Sequence, residues 1–567
     1  MRCLERVRSA LLFLCLAVML AAHAQSALAA KSANPNIYLV SGEGTAAKRI
    51  MLWEFGSNAT FFLPSGFDER NMTISWGKGV REVRLDGKPL ENGGILPIDD
   101  LNSKHALRYG GVTYDLLFRR SAGVPSLFLT TESGSLDYIH RSKTNREAGT
   151  IAAFDEQGNM LLFQELEYIK GRGNSTFSQP KRPYQIKLSS KTKLLGLPKS
   201  KRYLLLANHK EKSLIRNSIL FDAARFLKEK YANTDAFTDL YINGQYLGTY
   251  ELCLKVEVGP GRVDVRDLEA ETEALNDKPL NEYARFGVNQ ARNSTVKGFK
   301  IPNDPEDITG GYLITLEKSY HYHESDSGFV TRRGFCYVAK SPEYLSEKQA
   351  AYIAAVIQEL EDAIYAEDGR SPKTGRHFTE MADLDSMVRE YLLNEVFKNV
   401  DANKSSQYIV KPSDSEGGIL YFGPSWDFDL SMGCFTGDSG SKKIASPRYM
   451  FANTGNSWMA RLYGHQVFRR RAIEMYYEEM LPFLKALIGD EPMDGVTALD
   501  ERELMLASSA ALNFTRWPIL SAKDPANTGS TYADNISFIK DWLRKRIDYL
   551  DSEWYNEYRS ISGTDAS

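Results

Sequence analysis

The stretch Trp426-Asp427-Phe428-Asp429 sets two carboxylates one residue apart and alternates them with two aromatics. On an extended segment side chains alternate with period 2, so both aspartates share one face and both aromatics the other. If the aromatics turn to a core, the carboxylates converge on a cleft; on an edge strand the pair would simply face solvent. Two carboxylates this close repel unless a proton or a cation lies between them. The stretch from Tyr421 to Gly433 contains no histidine. An all-oxygen pair of this kind suits a hard cation such as Mg²⁺, which keeps several waters and bridges phosphate oxygens.

Other candidates lie upstream. Asp401-Ala402-Asn403 falls just past an expected helix and before a strand, Gln407 to Lys411. Gly171-Arg172-Gly173-Asn174-Ser175-Thr176 mixes glycines, an arginine and hydroxyls; it reads either as a plain turn or as backbone N–H groups brought close to a phosphate that Arg172 neutralises. Lys187 shares a strand face with Gln185, one strand after that turn, where it is either a phosphate-binding lysine or a solvated surface group. Leu205 to Asn217 reads as an apolar strand, a polar turn at Asn208-His209-Lys210, and a helix start capped by Ser213. A cation in a first helical turn opposes the helix dipole, so Arg216 calls for an anionic partner, from protein or ligand. Tyr320-His321-Tyr322-His323-Glu324 offers His-x-His with no third ligand at a diagnostic spacing, and reads as a loop rather than a zinc site. The chain has no Gly-x-Ser-x-Gly elbow, no His-Glu-x-x-His and no Walker loop.

These residues need elements to hold them. Residues 34–124 carry short alternating runs, such as Ala59 to Leu63 and Met72 to Trp76, separated by turn signals at Asp86-Gly87 and Asn92-Gly93-Gly94. That spacing predicts a β-sandwich of immunoglobulin size, with no catalytic constellation of its own. From Pro125 strands continue (Ser126 to Thr131, Tyr184 to Leu188, Phe237 to Ile242) but mix with helices. Helices are predicted at Leu214 to Lys230, after a capping box at Ser346-Glu347-Lys348-Gln349, at about Leu384 to Asn399, and through most of 465–555. The fold class is α+β, with a mixed sheet in the middle and helices after it. Residues 259–310 read as a loop-rich insertion.

The ends and the composition set the surroundings. Arg2, Arg6 and Arg8, the apolar run Ala10 to Ala22 and the small-residue sites that follow make residues 1–30 a secretory signal peptide. No later segment reaches the roughly 18 apolar residues of a membrane span, so the mature chain is expected to be extracytoplasmic. A net charge of −3 argues for no nucleic-acid partner. Outside the leader only Cys253, Cys336 and Cys434 remain, an odd, widely spaced set that leaves room for one disulfide but reads more simply as buried thiols.

Taken in order, KGRGNSTF at 170–177, PKRPYQIKL at 180–188, LLGLPKSKRYLLLANHKEKSLIRN at 194–217, GGYLITLEK at 310–318, VAKSPE at 338–343, NEVFKNVDANKSSQYIVK at 394–411 and GPSWDFDLSMG at 423–433 resemble the CotH kinase family of secreted or spore-coat-associated atypical protein kinases. The resemblance spans about residues 125–555, a kinase domain running to about 560. It implies a distorted protein-kinase-like core, ATP with Mg²⁺ or Mn²⁺ as cofactors, and transfer of the γ-phosphate to Ser/Thr hydroxyls of an acceptor protein. By the same resemblance Arg172, Lys187, Asn208 and Arg216 contact the nucleotide. Asp401 is the catalytic-loop acid, as base or metal ligand. Asp427 and Asp429 hold metal, and Asp427 is counted with Asp401 as catalytic. The chain departs from standard kinases in having no Gly-x-Gly-x-x-Gly, no His-Arg-Asp, and Ser406 rather than asparagine five residues after Asp401. Leu254 stands where family members often carry a glutamate, so Glu251 or Glu317 would substitute. Two alternatives share the scaffold: a catalytically silent surface module whose β domain binds a cell-envelope partner or glycan, and an AMP transferase.

Overall fold

The computed structural model describes residues 36–287, 296–434, 441–522 and 529–563; the signal-peptide segment lies outside these residues. The alternating runs between Ile37 and Arg120 form a three-stranded and a six-stranded sheet. Their inward phase, including Ile37, Leu39, Phe61, Ile74 and Leu107, makes one apolar core. An immunoglobulin-type sandwich is antiparallel, whereas here Asn58–Leu63 runs parallel to Val112–Arg120.

Seven strands then close into a barrel: β1 (Ser126–Thr131), β2 (Arg146–Phe154), β3 (Met160–Gly171), β4 (Tyr184–Thr192), β5 (Ser200–Leu206), β6 (Asp235–Ile242) and β7 (Gln245–Leu254). Neighbours pair antiparallel in the order β1-β2-β3-β4-β5-β7-β6, and β6 closes onto β1 in parallel. Period 2 divides the barrel residues cleanly. Ile186, Leu205, Leu252 and Leu254 fill the barrel interior, while Leu204, Leu206 and Cys253 on the other phase join the core of the C-terminal half. The N-terminal sheets are fastened to the barrel wall. Asp239 of β6, fully buried, accepts hydrogen bonds from Ser121, Ser509, Tyr246 and Thr249, and Tyr241 donates to the Phe62 carbonyl at 3.0 Å.

The C-terminal half holds a second, five-stranded sheet, built from β8 (Tyr312–Glu317), β9 (Gly328–Val330), β10 (Cys336–Ser341), β11 (Gln407–Lys411) and β12 (Tyr421–Phe422) in the order β9-β10-β8-β11-β12. The one mixed sheet expected in the middle of the chain is therefore two units, a closed barrel and a separate sheet. Alternation identifies strands but not their partners, which is why the sequence did not separate them. Helix α1 (Arg216–Phe226) lies in the apolar core shared by the two halves. It is shorter than the Leu214 to Lys230 expected, and Ser213 is not its cap: the Ser213 hydroxyl donates to Glu211 instead.

Helix α2 (Glu347–Tyr365) starts at the expected capping box, with Ser346 and Gln349 bonded reciprocally. Helix α3 (Leu384–Phe397) ends at Lys398 in the left-handed conformation. After α4 (Leu499–Arg516), α5 (Tyr532–Ser562) buries Ile539, Leu543, Ile547 and Leu550 along one stripe. The insertion at 259–310 contains a short helix, Leu268–Ala274, and a two-stranded pair, Arg285–Phe286 with Gly298–Phe299. Residues Ser319–Glu324, expected as a loop, form a short helix on which His321 pairs with Glu317 at 3.0 Å. Among the described residues, Cys253, Cys336 and Cys434 are buried free thiols. No helix among the described residues is long and apolar enough to cross a membrane.

Candidate active site

The segment carrying Asp427 and Asp429 follows β12 and is not itself a strand. Asp427 sits at φ +69°, a left-handed conformation that short polar side chains tolerate better than most. The two-sided pattern nevertheless holds. Trp426 and Phe428 are buried at 8 % and 1 % exposure, while Asp427 and Asp429 are only partly buried. The first turn of α1 grips this segment. Asn217 Oδ1 accepts the Phe428 N–H at 2.8 Å, Arg216 Nε donates to the Ser431 carbonyl at 2.9 Å, and the Phe221 and Trp426 rings pack 5.8 Å apart.

Arg172, Asn208, Trp426, Asp427 and Asp429 line one cleft, enclosing about 400 Å³ of non-protein space that is partly open to solvent. The Arg172 guanidinium lies 5.8 Å from the Trp426 ring. Asp401, from the loop after α3, receives a hydrogen bond from Lys318 Nζ at 2.7 Å. The same loop reaches Asp427, because Ser406 Oγ donates to Asp427 Oδ2 at 3.2 Å. Thus Ser406, five residues past Asp401, touches Asp427 through its hydroxyl.

The site is short of positive charge. Burial, then the neighbouring Asp427, Glu211 and Asp401, push the Asp429 carboxyl up to about 8. Burial raises Asp427 as well; Arg172 opposes this, and Asp401 and Glu317 add to it. Burial most strongly disfavours the Lys318 ammonium, but the hydrogen bond and charge of Asp401, with Tyr320 and Asp427, together hold the lysine above its ordinary value. A divalent cation fits such a donor set, since it answers the repulsion that otherwise keeps a proton on one of the acids. Among the described residues no three His, Cys, Asp or Glu side chains form a ready-made metal shell. That is consistent with a Mg²⁺-type ion, which takes one or two carboxylates and completes its octahedron with water and phosphate oxygens.

Arg172 and Trp426 also border a larger groove of about 1090 Å³, to which Lys170, Lys255, Gln185 and Tyr408 contribute. Burial, then the charge of Lys255, lowers Lys170, and burial, then the charge of Arg202, lowers Lys255. Sequence reasoning missed these two lysines. They stand immediately before Gly171-Arg172 and just after Leu254, on β3 and at the end of β7, which β4 and β5 separate in the barrel, so their convergence on one groove appears only once the strands are paired.

Two predicted residues sit elsewhere. Lys187 points outward with Gln185 but pairs with Glu167, which also holds Lys201, and lines neither cavity. Arg216 is wholly buried, and its anionic partner is Glu211 from the protein itself. Asn208 lines the cleft and donates to Glu251 Oε2 at 2.7 Å. Glu251 is fully buried with its other oxygen unpartnered. Glu317 pairs with Lys340 at 3.6 Å as well as with His321.

Behind the aspartates, Ser425 sits between two buried acids. Its N–H and Oγ lie 2.8 and 2.7 Å from the Glu229 oxygens, and Oγ is also 3.0 Å from Glu390 Oε2. One hydroxyl carries one proton, so one of the two carboxyls must donate its own. Burial, against the bond from Ser425, raises Glu229 from 4.5 to about 7 and raises Glu390 too. A carboxyl raised in the folded state binds a proton that the unfolded chain releases. Its contribution is therefore complete below about pH 4.5 and is lost as pH rises through about 7. Glu229→Gln keeps the hydrogen bonds without the titration. Urea unfolding at pH 5 and pH 8 should show the variant losing on the order of 2 kcal/mol less than the parent between the two pH values; equal losses would mean that Glu229 holds no extra proton.

Residues 169–550, well over half of the chain, match the family described as CotH kinase protein. No curated protein matches the chain.

Proposed function

We propose that this chain, which belongs to the CotH kinase family, is a metal-dependent protein kinase that acts outside the cytoplasm and moves the γ-phosphate of ATP to a serine or threonine hydroxyl of an acceptor protein. One observation carries the reading: Arg172, Asn208, Asp427 and Asp429 line a single cleft that Ser406 ties to the loop of Asp401. Phosphoryl transfer asks a protein mainly for positioning and charge neutralisation, and that is what these residues offer. Barrel and helical half, facing each other across the cleft, act as the two lobes of a kinase-like core.

Bound Mg²⁺ or Mn²⁺ would neutralise phosphate charge and orient the transferred group. Asp427 and Asp429 would hold the metal, and Arg172 a phosphate. Lys170 and Lys255, with the aromatic faces of Tyr408 and Trp426, suit the rest of a nucleotide in the neighbouring groove; Lys187 lies further along the barrel wall as a reserve cation held by Glu167. Asp401, hydrogen-bonded by Lys318, would accept the proton of an acceptor hydroxyl. Arg216 acts through the segment it braces.

The test is thermal denaturation with millimolar ATP and Mg²⁺ or Mn²⁺, followed by intact-mass analysis of the protein and of a casein-like acceptor. A metal-dependent rise in the midpoint and a phosphate increment on the acceptor or on the protein itself are expected. An AMP increment would make the same cleft that of a nucleotidyl transferase. No stabilisation with either metal would overturn nucleotide use and leave a silent surface module.

A further inference from the structure

A second large cavity lies apart from the carboxylate cleft, with helix α1 as a wall of both. Asn217 and Phe221 line the cleft, while Ser218, Asp222 and Arg225, roughly a quarter-turn round the helix, line the second cavity. It encloses about 1030 Å³ of non-protein space between α1, α4 and the β2–β3 hairpin, and shares no lining residue with the cleft. Its charge is unbalanced, for four carboxylates (Asp155, Glu156, Asp222, Asp235) face it against two guanidiniums, Arg225 and Arg502.

Both arginines are already committed. Each is hydrogen-bonded to Asp222; Arg225 also donates to the Asn233 carbonyl at 2.6 Å and Arg502 to the Thr497 carbonyl at 3.0 Å. Asp235, with its side chain 6 % exposed, has its nearest cation, Arg225, at 4.0 Å. Burial, with Asp222 beside it, raises the Asp235 carboxyl to about 6, so this acid gains from a further positive charge. The border is apolar and open to water. Leu161 and Met505 line the cavity at 56 % and 45 % exposure, next to Leu504 at 78 %. Isolated exposed leucines are ordinary, but apolar side chains gathered round an acidic hollow are the composition of a recognition site.

We propose that this cavity is a docking site for an extended segment of a partner protein that carries arginine or lysine between apolar residues. The cation enters toward Asp235, and the flanking apolar side chains cover Leu161 and Met505. The site is independent of the transferase reading, since it needs neither nucleotide nor metal.

The probe is a short fluorescein-labelled peptide alternating leucine and arginine, titrated into the full chain and followed by anisotropy. Leu161→Lys and Met505→Lys change exposed side chains, so the fold is retained, and each is expected to weaken binding by about tenfold. Asp235→Asn should weaken it too while leaving the protein at least as stable, because it removes a buried charge. A leucine–glutamate peptide should not bind. Unchanged affinity in both lysine variants, equal binding of the glutamate peptide, or no binding of the arginine peptide to the parent chain would each overturn the proposal.

Discussion

Asp427→Asn should abolish the metal-dependent thermal shift by ATP and lower phosphoryl transfer by about a thousandfold or more, while making the metal-free protein more stable. The two halves of that result have one cause. Asp427 and Asp429 share a poorly solvated cleft; burial raises both, Asp427 further raises the proton affinity of Asp429, and Asp401 and Glu317 raise that of Asp427. A cation bound between them would relieve the repulsion; without one the fold carries the cost. Asparagine is the informative replacement because it keeps the planar shape of the carboxylate without its charge, and it accepts the left-handed backbone at φ +69° that alanine would strain.

The sign for the partner residue follows from linkage. The Asp429 carboxyl rises from 3.8 to about 8 on folding, so metal-free stability is complete below the lower value and is lost as pH climbs through the higher one. Asp429→Asn should flatten that slope and at pH 8 add on the order of 2 kcal/mol. Urea unfolding in chelator at pH 5 and pH 8 measures it. If either variant destabilises the metal-free protein and leaves the nucleotide shift intact, the aspartates are structural and the metal site is elsewhere.

What the sequence disclosed depended on how local the physics is. The capping box at Ser346 was legible because both partners lie within one turn. The aromatic-in, carboxylate-out alternation at Trp426 to Asp429 was legible for the same reason, and it survives although the backbone there is irregular. The resemblance then brought Arg172, Asn208, Asp427 and Asp429 into one list, and the cleft they share is consistent with it. Long-range pairing was not legible. Lys318 and Asp401 meet across 83 residues, and nothing near either predicts the other. Lys187 was placed by its spacing from a glycine turn, but spacing is silent about Glu167 on the adjacent strand. The barrel closes through a parallel pair, β6 on β1, and neither strand's composition distinguishes that partner from an antiparallel neighbour.

Arg216 joins these two levels and should give the largest stability effect. The sequence required an anion for it, and the structure supplies Glu211 in a pair with side chains 0 % and 1 % exposed. The guanidinium also serves the Ser431 and Met432 carbonyls, at 2.9 and 3.4 Å, just past Asp427 and Asp429. Arg216→Met strands a buried carboxylate beside Asp429, takes the guanidinium from the Met432 carbonyl and leaves the Ser431 carbonyl with the Cys434 N–H alone, so it should cost about 3–5 kcal/mol. Replacing both partners, Arg216→Met with Glu211→Met, removes the stranded charge and should recover most of that loss. The nucleotide response should not recover with it. No apolar pair can replace the guanidinium on the Ser431 and Met432 carbonyls, so the segment bearing Asp429 loses that brace even when the core is sound. Urea unfolding and the metal-dependent ATP shift, measured on the same two variants, separate the roles. A double variant as unstable as the single one would mean that the ion pair is not what Arg216 contributes; a double variant with the full ATP response would mean that bracing this segment is irrelevant to the site.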